Sequence, residues 1–144
     1  MRMTAVLLIT FLLLTSGHQT ASAQEDIKIG AFFALSGPAS SIGEPTRLVA
    51  QMVVDRINRE GGVNGKKLSL LTGNTESDPT KALIEAKRLV ELGKVVALIG
   101  PTRTDEGMQV KSYVEETAKL PVVMTIGGDP VITVPPYRWT FKTP

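Results

Sequence analysis

The sequence predicts an α/β fold, a doubly wound parallel sheet with helices packed on it. Apolar runs typical of buried strands alternate with helical periodicity along the chain, and the connections between them are short. Such alternation favours right-handed crossovers, so that all the strands point the same way. The first apolar run ends in a loop of small residues, and open parallel sheets hold ligands at the carboxyl ends of their strands. The fold class therefore points to ligand capture.

The first half of the predicted sheet is a strand, a helix and a second strand. Residues 27–35 form the first strand, because their nearly continuous apolar character suits a sheet buried on both faces. The first helix is predicted to hold Pro45 in its first turn and to end at Gly61-Gly62. Residues 67–72 form the second strand. The apolar stripe of the helix consists of Leu48, Val49, Met52, Val53 and Ile57.

The second helix has clear signals at both ends. Asp78 is its predicted N-cap, Pro79 occupies the first helical position, where a missing N–H costs nothing, and Gly93 closes it. One face of this helix is apolar and consists of Ala82, Leu83, Ala86, Leu89 and Val90.

The rest of the chain continues the alternation. The third strand is predicted at residues 95–99, the third helix at about residues 106–119 and the fourth strand at residues 122–126. The third helix directs Val110, Val114 and Ala118 inward. A short fifth strand is predicted at residues 138–142.

The first 23 residues predict a removable export signal. Arg2 supplies a basic start, residues 5–14 an apolar core, and Ala21-Ser22-Ala23 a small-residue cleavage site. The apolar core has about half of the ~20 residues that a membrane span needs. We therefore expect cleavage after Ala23, a periplasmic location and no stable membrane insertion afterwards. The sequence contains no cysteine, so neither a disulfide nor the lipid-bearing cysteine of a bacterial lipoprotein is expected.

The charge pattern gives no sign of a polyanionic partner. Sixteen Lys and Arg residues stand against 14 Asp and Glu residues, and the formal net charge is +2. Neither sign forms a long block, which argues against nucleic acid and against an anionic membrane surface as partners.

The motifs of common enzymes and cofactor sites are missing from the sequence. Neither a P-loop nor a dinucleotide fingerprint is present, and the single histidine, His18, lies in the predicted signal, so the loop serines have no base. The adjacent carboxylates Asp105 and Glu106 at a helix start are more often there to complement the helix dipole than for catalysis. We expect no catalysis, no cofactor and no metal ion.

Three loops are expected to meet at the carboxyl edge of the sheet, at residues 36–43, 100–105 and 127–130. Thr102 and Thr104 precede the third helix, whose free N–H groups and dipole favour an anion such as a carboxylate. Equally, Thr104 or Asp105 could serve only as the N-cap. Gly127-Gly128 is either a turn or a place where a ligand reaches bare backbone.

Four stretches of the mature sequence carry a resemblance to a known family. They are IKIGAFFALSGPASSIGEPTRLVAQMVVDRINREGGVNGKKL at 27–68, ESDPTKAL at 76–83, VVALIGPTRT at 95–104 and KLPVV at 119–123. In order and spacing they resemble the type I periplasmic binding proteins of the leucine/isoleucine/valine-binding kind, which serve branched-chain amino-acid ABC transporters. The resemblance implies a two-lobed protein, of which residues 24–144 are the N-terminal lobe ending near the hinge, with the second lobe missing.

The resemblance also implies a function and site residues. The protein would capture a branched-chain amino acid or a related small carboxylate and deliver it to an inner-membrane permease. Thr104 matches the residue whose hydroxyl binds the ligand carboxylate, Ile126 the residue whose carbonyl accepts the ammonium, and Ile42 a residue that packs on the ligand side chain. Gly128 matches a residue that supplies a backbone N–H, and Gly127 adjoins it.

Two of these positions depart from the family pattern. Gly128 lacks the threonine hydroxyl that usually stands there, and Ile126 replaces a small residue, which would narrow the pocket. Both changes favour a carboxylate without an α-amino group. The same fold also allows an alternative, an exported ligand-sensing domain of a receptor or regulator. A transporter component would be encoded beside permease and ATPase genes, whereas a sensor would continue into a transmembrane signalling segment.

Overall fold

The computed structural model describes residues 25–128 and 138–143. Over these residues the chain forms five strands and three α-helices. The strands are β1 (Ile27–Phe33), β2 (Leu68–Asn74), β3 (Ala97–Ile99), β4 (Val122–Met124) and β5 (Thr140–Lys142). The helices are α1 (Ser40–Arg59), α2 (Pro79–Glu91) and α3 (Thr104–Ser112), and α3 continues into a π-helical segment, Tyr113–Ala118.

The five described strands form one sheet in the order β2-β1-β3-β4-β5, and every neighbouring pair is parallel. The predicted α/β parallel fold is confirmed. The order reverses at β1, which lies between β2 and β3, and a ligand site is expected beside such a switch point. The predicted signal, residues 1–23, and residues 129 and 130 of the predicted third loop lie outside the described residues.

The main core lies between the sheet and the helices α2 and α3. The predicted α2 is confirmed, because Asp78 accepts a hydrogen bond from the backbone N–H of Lys81 at 2.8 Å and Pro79 occupies the first helical turn. From β3 and β4, Leu98, Val122 and Met124 point into this core. The helical residues that are fully buried there are Ala82, Ala86, Leu89, Val110 and Val114. Burial of these side chains is the main favourable contribution to folding.

The first helix begins earlier than the sequence predicts. It starts at Ser40, and Pro45 lies inside it rather than in its first turn. Pro45 suggests a first turn, but a proline inside the helix does not show where the helix starts, so its position alone misplaced the start. Near this start the helix packs closely on the residue that follows β1, because a Cβ on Gly43 would lie 2.1 Å from the carbonyl oxygen of Ala34.

The apolar stripe of α1 is mostly exposed. Met52 is 68% exposed and Val49 58%, whereas Val54 is buried. The stripe borders an apolar groove of about 440 Å³ between α1 and the sheet face that carries Ile29, Ile99 and Val123. Among the described helices α1 alone lies on this face, although parallel sheets are normally covered on both faces.

The third helix also begins earlier than predicted, at Thr104 rather than Glu106. Its last part is the π-helical segment, which ends where Lys119 adopts a left-handed conformation with φ of 50°. Glu115 in this segment contacts the residues that begin β5. None of the helices in the described ranges is both long and apolar enough to cross a membrane.

Candidate functional site

The loops that follow β1, β3 and β4 meet at the carboxyl edge of the sheet. The backbone N–H of Ala34 donates to the Thr102 hydroxyl at 3.0 Å, which joins the first loop to the second. The Thr125 hydroxyl donates to the carbonyl oxygen of Pro101 at 3.1 Å, which joins the third loop to the second. The predicted convergence is therefore present in the described parts of these loops.

An open groove of about 790 Å³ lies between the start of α3 and the loop after β4. Its lining residues are Thr102, Arg103, Thr104, Asp105, Met108, Gly127 and Gly128. Three of the five residues predicted for the site, Thr104, Gly127 and Gly128, therefore line one groove.

The other two predicted residues lie elsewhere. Ile126 is 2% exposed and packs in the main core, so its side chain does not narrow the groove, and only its backbone remains available to a ligand. Ile42 lies in the first turns of α1, is 62% exposed and is not among the residues that line this groove. A contact between Ile42 and a ligand stays a prediction.

The two threonines before α3 have different roles in the structure. Thr102 accepts the hydrogen bond from Ala34 and so holds the loop against the end of β1. Among the described residues, the Thr104 hydroxyl has no hydrogen-bond partner, and its side chain lines the groove half-buried. From the sequence, either threonine could bind a ligand. In the structure, Thr104 is the one whose hydroxyl has no partner among the described residues.

The N-cap of α3 is Arg103, not Thr104 or Asp105. Thr104 is therefore the first helical residue, where N–H groups lack partners within the helix and the dipole is positive. The carboxylate of Asp105 accepts from the backbone N–H of Glu106 at 3.0 Å. It also pairs with the Arg103 guanidinium at 2.6 Å. This hydrogen bond from Arg103 lowers the pKa of Asp105 despite partial burial, so the two charges at the groove rim offset each other.

Glu106 holds the start of α3 in place. Its side chain is fully buried, and one carboxylate oxygen accepts from the Thr75 hydroxyl at 2.5 Å. The other oxygen accepts from the backbone N–H of Arg103 at 2.9 Å. The sequence suggested only a role toward the helix dipole, because nothing local showed that Thr75, 31 residues earlier, lies beside it. Glu106 thus fixes the position of Thr104 from the buried side of the helix start.

Asn74 and Ser77 hold the first loop. Asn74 accepts from the backbone N–H of Leu35 at 2.9 Å and donates to the Ser36 hydroxyl at 2.9 Å. Ser77 accepts from the backbone N–H of Ala39 at 3.0 Å and donates to the carbonyl oxygen of Ser36. An amide provides a donor and an acceptor together, which an ionised carboxylate at position 74 would not.

The described residues contain no cluster of three or more His, Cys, Asp or Glu side chains suited to a metal ion. The described part of the groove offers instead the Thr104 hydroxyl, backbone N–H groups at a helix start and the backbone of Gly127 and Gly128. This arrangement suits binding of a small anionic group.

Comparisons with known proteins agree with this fold. A family model described as periplasmic binding protein matches residues 26–143. The Leu/Ile/Val-binding protein homolog 7 of Brucella melitensis is 34% identical over 101 residues, which are 70% of this chain and 25% of that protein. The homolog 8 of Brucella abortus is 33% identical over 100 residues, 69% of this chain and 24% of that protein.

Two solved structures show the same fold. The branched-chain amino acid transporter substrate binding protein LivJ from Streptococcus pneumoniae, in complex with isoleucine, superposes with a TM-score of 0.77 at 27% identity, covering 82% of this chain and 33% of that one. An ABC transporter substrate-binding protein from Desulfitobacterium hafniense in complex with Leu gives a TM-score of 0.71 at 26% identity, with coverage of 82% and 34%.

The matched region is short compared with these relatives. The chain spans about a quarter of the length of the curated relatives it matches and about a third of the solved chains. The family model nevertheless matches all five described strands and the residues that line the groove. This chain belongs to the periplasmic binding protein family, and its fold is that of the type I members.

Proposed function

We propose that this chain is the N-terminal lobe of an extracytoplasmic substrate-binding protein of an ABC transporter. It captures a branched-chain amino acid or a related small carboxylate and delivers it to an inner-membrane permease. The observation that carries the proposal is Thr104, whose hydroxyl has no partner among the described residues and lies at the first residue of α3, in a groove at the carboxyl edge of the sheet. Relatives described as leucine-, isoleucine- and valine-binding support the substrate class.

The ligand carboxylate would lie at the start of α3. Backbone N–H groups and the positive end of the helix dipole attract an anion there, and the Thr104 hydroxyl donates one more hydrogen bond. Glu106 and Thr102 keep this arrangement rigid, since one is fully buried and the other is bonded to Ala34. A preorganised site binds more tightly because less conformational freedom is lost on binding.

The rest of the binding site would come from a second lobe. The groove is wide open and buries little of a ligand by itself, whereas binding sites for small molecules enclose most of the ligand surface. In a two-lobed protein, closure around the ligand excludes water and strengthens the hydrogen bond from Thr104. We propose export by the segment ending at Ala23 and function in the periplasm as a binding protein without catalysis.

Calorimetry on the full-length protein tests this proposal. The probes are L-leucine, L-isoleucine and 4-methylpentanoate, which is leucine without its amino group. We expect binding of a carboxylate probe, and we expect Thr104→Ala to weaken it by about tenfold, the effect of losing one hydrogen bond to a charged group. Glu116→Ala, on the exposed surface of the π-helical segment, is the control and should bind like the wild type.

The outcomes separate the parts of the proposal. No binding of any of the three probes would contradict the substrate class. Binding that survives Thr104→Ala unchanged would remove this residue from the site. Binding of L-leucine without binding of 4-methylpentanoate would contradict the preference for a ligand without an α-amino group, which we expect because residue 128 offers no side-chain hydroxyl.

A further inference from the structure

Residues 63–66 form a tight turn in the connection between α1 and β2. The backbone N–H of Val63 donates to the carbonyl oxygen of Lys66 at 2.8 Å, and the Lys66 N–H donates back to Val63 at 3.0 Å. Asn64 and Gly65 occupy the two corners of the turn, with φ of 51° and 80°. Positive φ at both corners is typical of a type I′ turn, for which Asn-Gly is a preferred pair. Turn geometry therefore explains why these two residues stand here.

The same turn leaves both corner residues open to reaction. Asn64 and Gly65 are exposed, and among the described residues neither the Asn64 side-chain amide nor the Gly65 N–H has a hydrogen-bond partner. A Cβ on Gly65 would meet nothing within 4 Å, so no neighbouring group shields its nitrogen. The bridge between Val63 and Lys66 is isolated from the sheet, so the turn opens at a small cost in free energy.

The other two asparagines of the sequence are held in place. The Asn58 amide makes hydrogen bonds of 2.7 and 2.8 Å with the backbone N–H and carbonyl oxygen of Leu68. Asn74 is bonded to the first loop, as described above. Arg59 and Thr75 follow these two asparagines, and both carry a Cβ beside the backbone nitrogen. The asparagine of the turn thus differs from the other two in its free amide and in the glycine after it.

We propose that Asn64 is a site of spontaneous deamidation, at which the Gly65 nitrogen converts the side-chain amide into a succinimide and then into isoaspartate or aspartate. The nitrogen gives up its proton and attacks Asn64 Cγ, so that a C–N bond forms and the ring closes. The bond from Cγ to the side-chain nitrogen breaks, and that nitrogen leaves with the proton as ammonia. Water then opens the ring at either carbonyl, and no other reactant is needed. The positive charges of Lys66 and Lys67, which come next in the chain, favour the anionic nitrogen that attacks.

Either product changes the connection between α1 and β2. A new carboxylate appears beside Lys66 and Lys67 and lowers the formal net charge of +2 by one. Isoaspartate also adds a methylene to the main chain, which a two-residue turn does not accommodate, so the pairing of Val63 with Lys66 is lost. The turn precedes Leu68, the first residue of β2, and therefore lies at the amino edge of the sheet, away from the groove. Deamidation there is independent of the ligand proposed above.

Ageing of the full-length protein in mildly alkaline buffer, followed by tryptic peptide mapping, tests the proposal. Trypsin separates the three asparagines into the peptides 57–59, 60–66 and 68–81. Mass spectrometry measures deamidation in each peptide, and fragmentation distinguishes isoaspartate from aspartate. The same measurement on protein unfolded in urea separates the effect of the fold from that of the neighbouring residue.

Two glycine variants form a matched pair. Gly65 and Gly61 both have positive φ, and a Cβ on either would meet nothing within 4 Å, so Gly65→Ala and Gly61→Ala strain the same connection without a clash. Only Gly65→Ala places the Cβ beside the attacking nitrogen. We expect Gly65→Ala to slow deamidation of residue 64 by about tenfold and Gly61→Ala to leave the rate unchanged.

In the folded wild type we expect Asn64 to react at least about tenfold faster than Asn58 or Asn74, because hydrogen bonds must break before either of those can react. Isoaspartate in peptide 60–66 and a smaller protection by folding at Asn64 than at the other two would support the proposal. An unchanged peptide 60–66 in aged folded protein that deamidates in urea would overturn it. Earlier reaction at Asn58 or Asn74, or equal slowing by the two glycine variants, would also overturn it.

Discussion

Glu115 attaches the edge strand β5 to the π-helical segment, and its removal is predicted to loosen that strand. Its carboxylate accepts three hydrogen bonds, from the backbone N–H groups of Arg138 and Trp139 at 3.0 Å each and from the Thr140 hydroxyl at 2.7 Å. Thr140 is only 4% exposed, so its hydroxyl cannot turn to water when the carboxylate is removed. Glu116, the next residue, is exposed and serves as the matched control.

The size of the effect follows from these three bonds. A hydrogen bond to a charged group contributes about 1.5–3 kcal/mol when well shielded, but Glu115 is half-buried and the two backbone donors are near solvent. We therefore expect Glu115→Ala to lower the free energy of unfolding by about 2–3 kcal/mol. Glu115→Gln keeps one acceptor oxygen and should lose about half as much.

The same contact predicts a pH dependence. Burial would raise the pKa of Glu115, but the hydrogen bonds from Thr140, Trp139 and Arg138 lower it below its ordinary value of 4.5. A carboxyl group with a lowered pKa in the folded state stabilises the protein at neutral pH, and this contribution is lost as the pH falls from 4.5 through the folded-state value. The stability difference between the wild type and Glu115→Gln should therefore shrink in acid.

Urea unfolding followed by tryptophan fluorescence measures the effect. Trp139 is the sole tryptophan of the chain and donates to Glu115 itself, so its emission reports on this attachment. We expect a lower transition midpoint for Glu115→Ala, an intermediate one for Glu115→Gln and no change for Glu116→Ala. Equal midpoints for the Glu115 and Glu116 variants would refute the reasoning.

Three further substitutions test the contacts that build the groove and the sheet, each by urea unfolding. Thr75→Val removes the donor to the buried Glu106 carboxylate and should cost about 1–3 kcal/mol, whereas Thr80→Val on the exposed surface should cost little. Similar losses for the two would show that the buried bond is unimportant. Gly43→Ala places a Cβ 2.1 Å from the Ala34 carbonyl oxygen and should cost about 2 kcal/mol or more, while Gly127→Ala should match the wild type. A stable Gly43→Ala protein would contradict the close approach of α1. Asn58→Ala breaks the two bonds that its amide makes with the backbone of Leu68, at 2.7 and 2.8 Å, and should cost about 1–2 kcal/mol, with Asn58→Asp losing less because the acceptor remains. Equal losses for the alanine and aspartate variants would show that the acceptor contributes nothing.

The sequence predicted some elements more accurately than others. The second helix was predicted with its cap and its buried face, since Asp78, Pro79 and the spacing of Ala82, Ala86 and Leu89 are local signals. The first helix was misplaced at its start because Pro45, the local signal, lies inside it, and the close approach of Gly43 to Ala34 has no local signal at all. The exposure of the apolar stripe of α1 could not be predicted either, because it depends on what covers the sheet face on which α1 lies.

The groove, too, was predicted only in part from the sequence. The loops and the candidate residues Thr104, Gly127 and Gly128 were predicted, because small residues after buried strands mark the carboxyl edge of a parallel sheet. The anchoring pair Thr75 and Glu106 was missed, since the two residues are far apart in the chain and neither belongs to a motif. Ile126 was expected to face the pocket, yet its side chain packs in the core.

The sequence by itself determined the α/β class, the alternation of elements and the position of the candidate groove, because periodicity and helix caps are properties of neighbouring residues. Only the tertiary structure decided the strand order β2-β1-β3-β4-β5, the choice of Thr104 over Thr102 and the pairing of Thr75 with Glu106. Each of these depends on atoms brought together from distant parts of the chain. Steric exclusion and burial act between such atoms in space, and no local pattern records them.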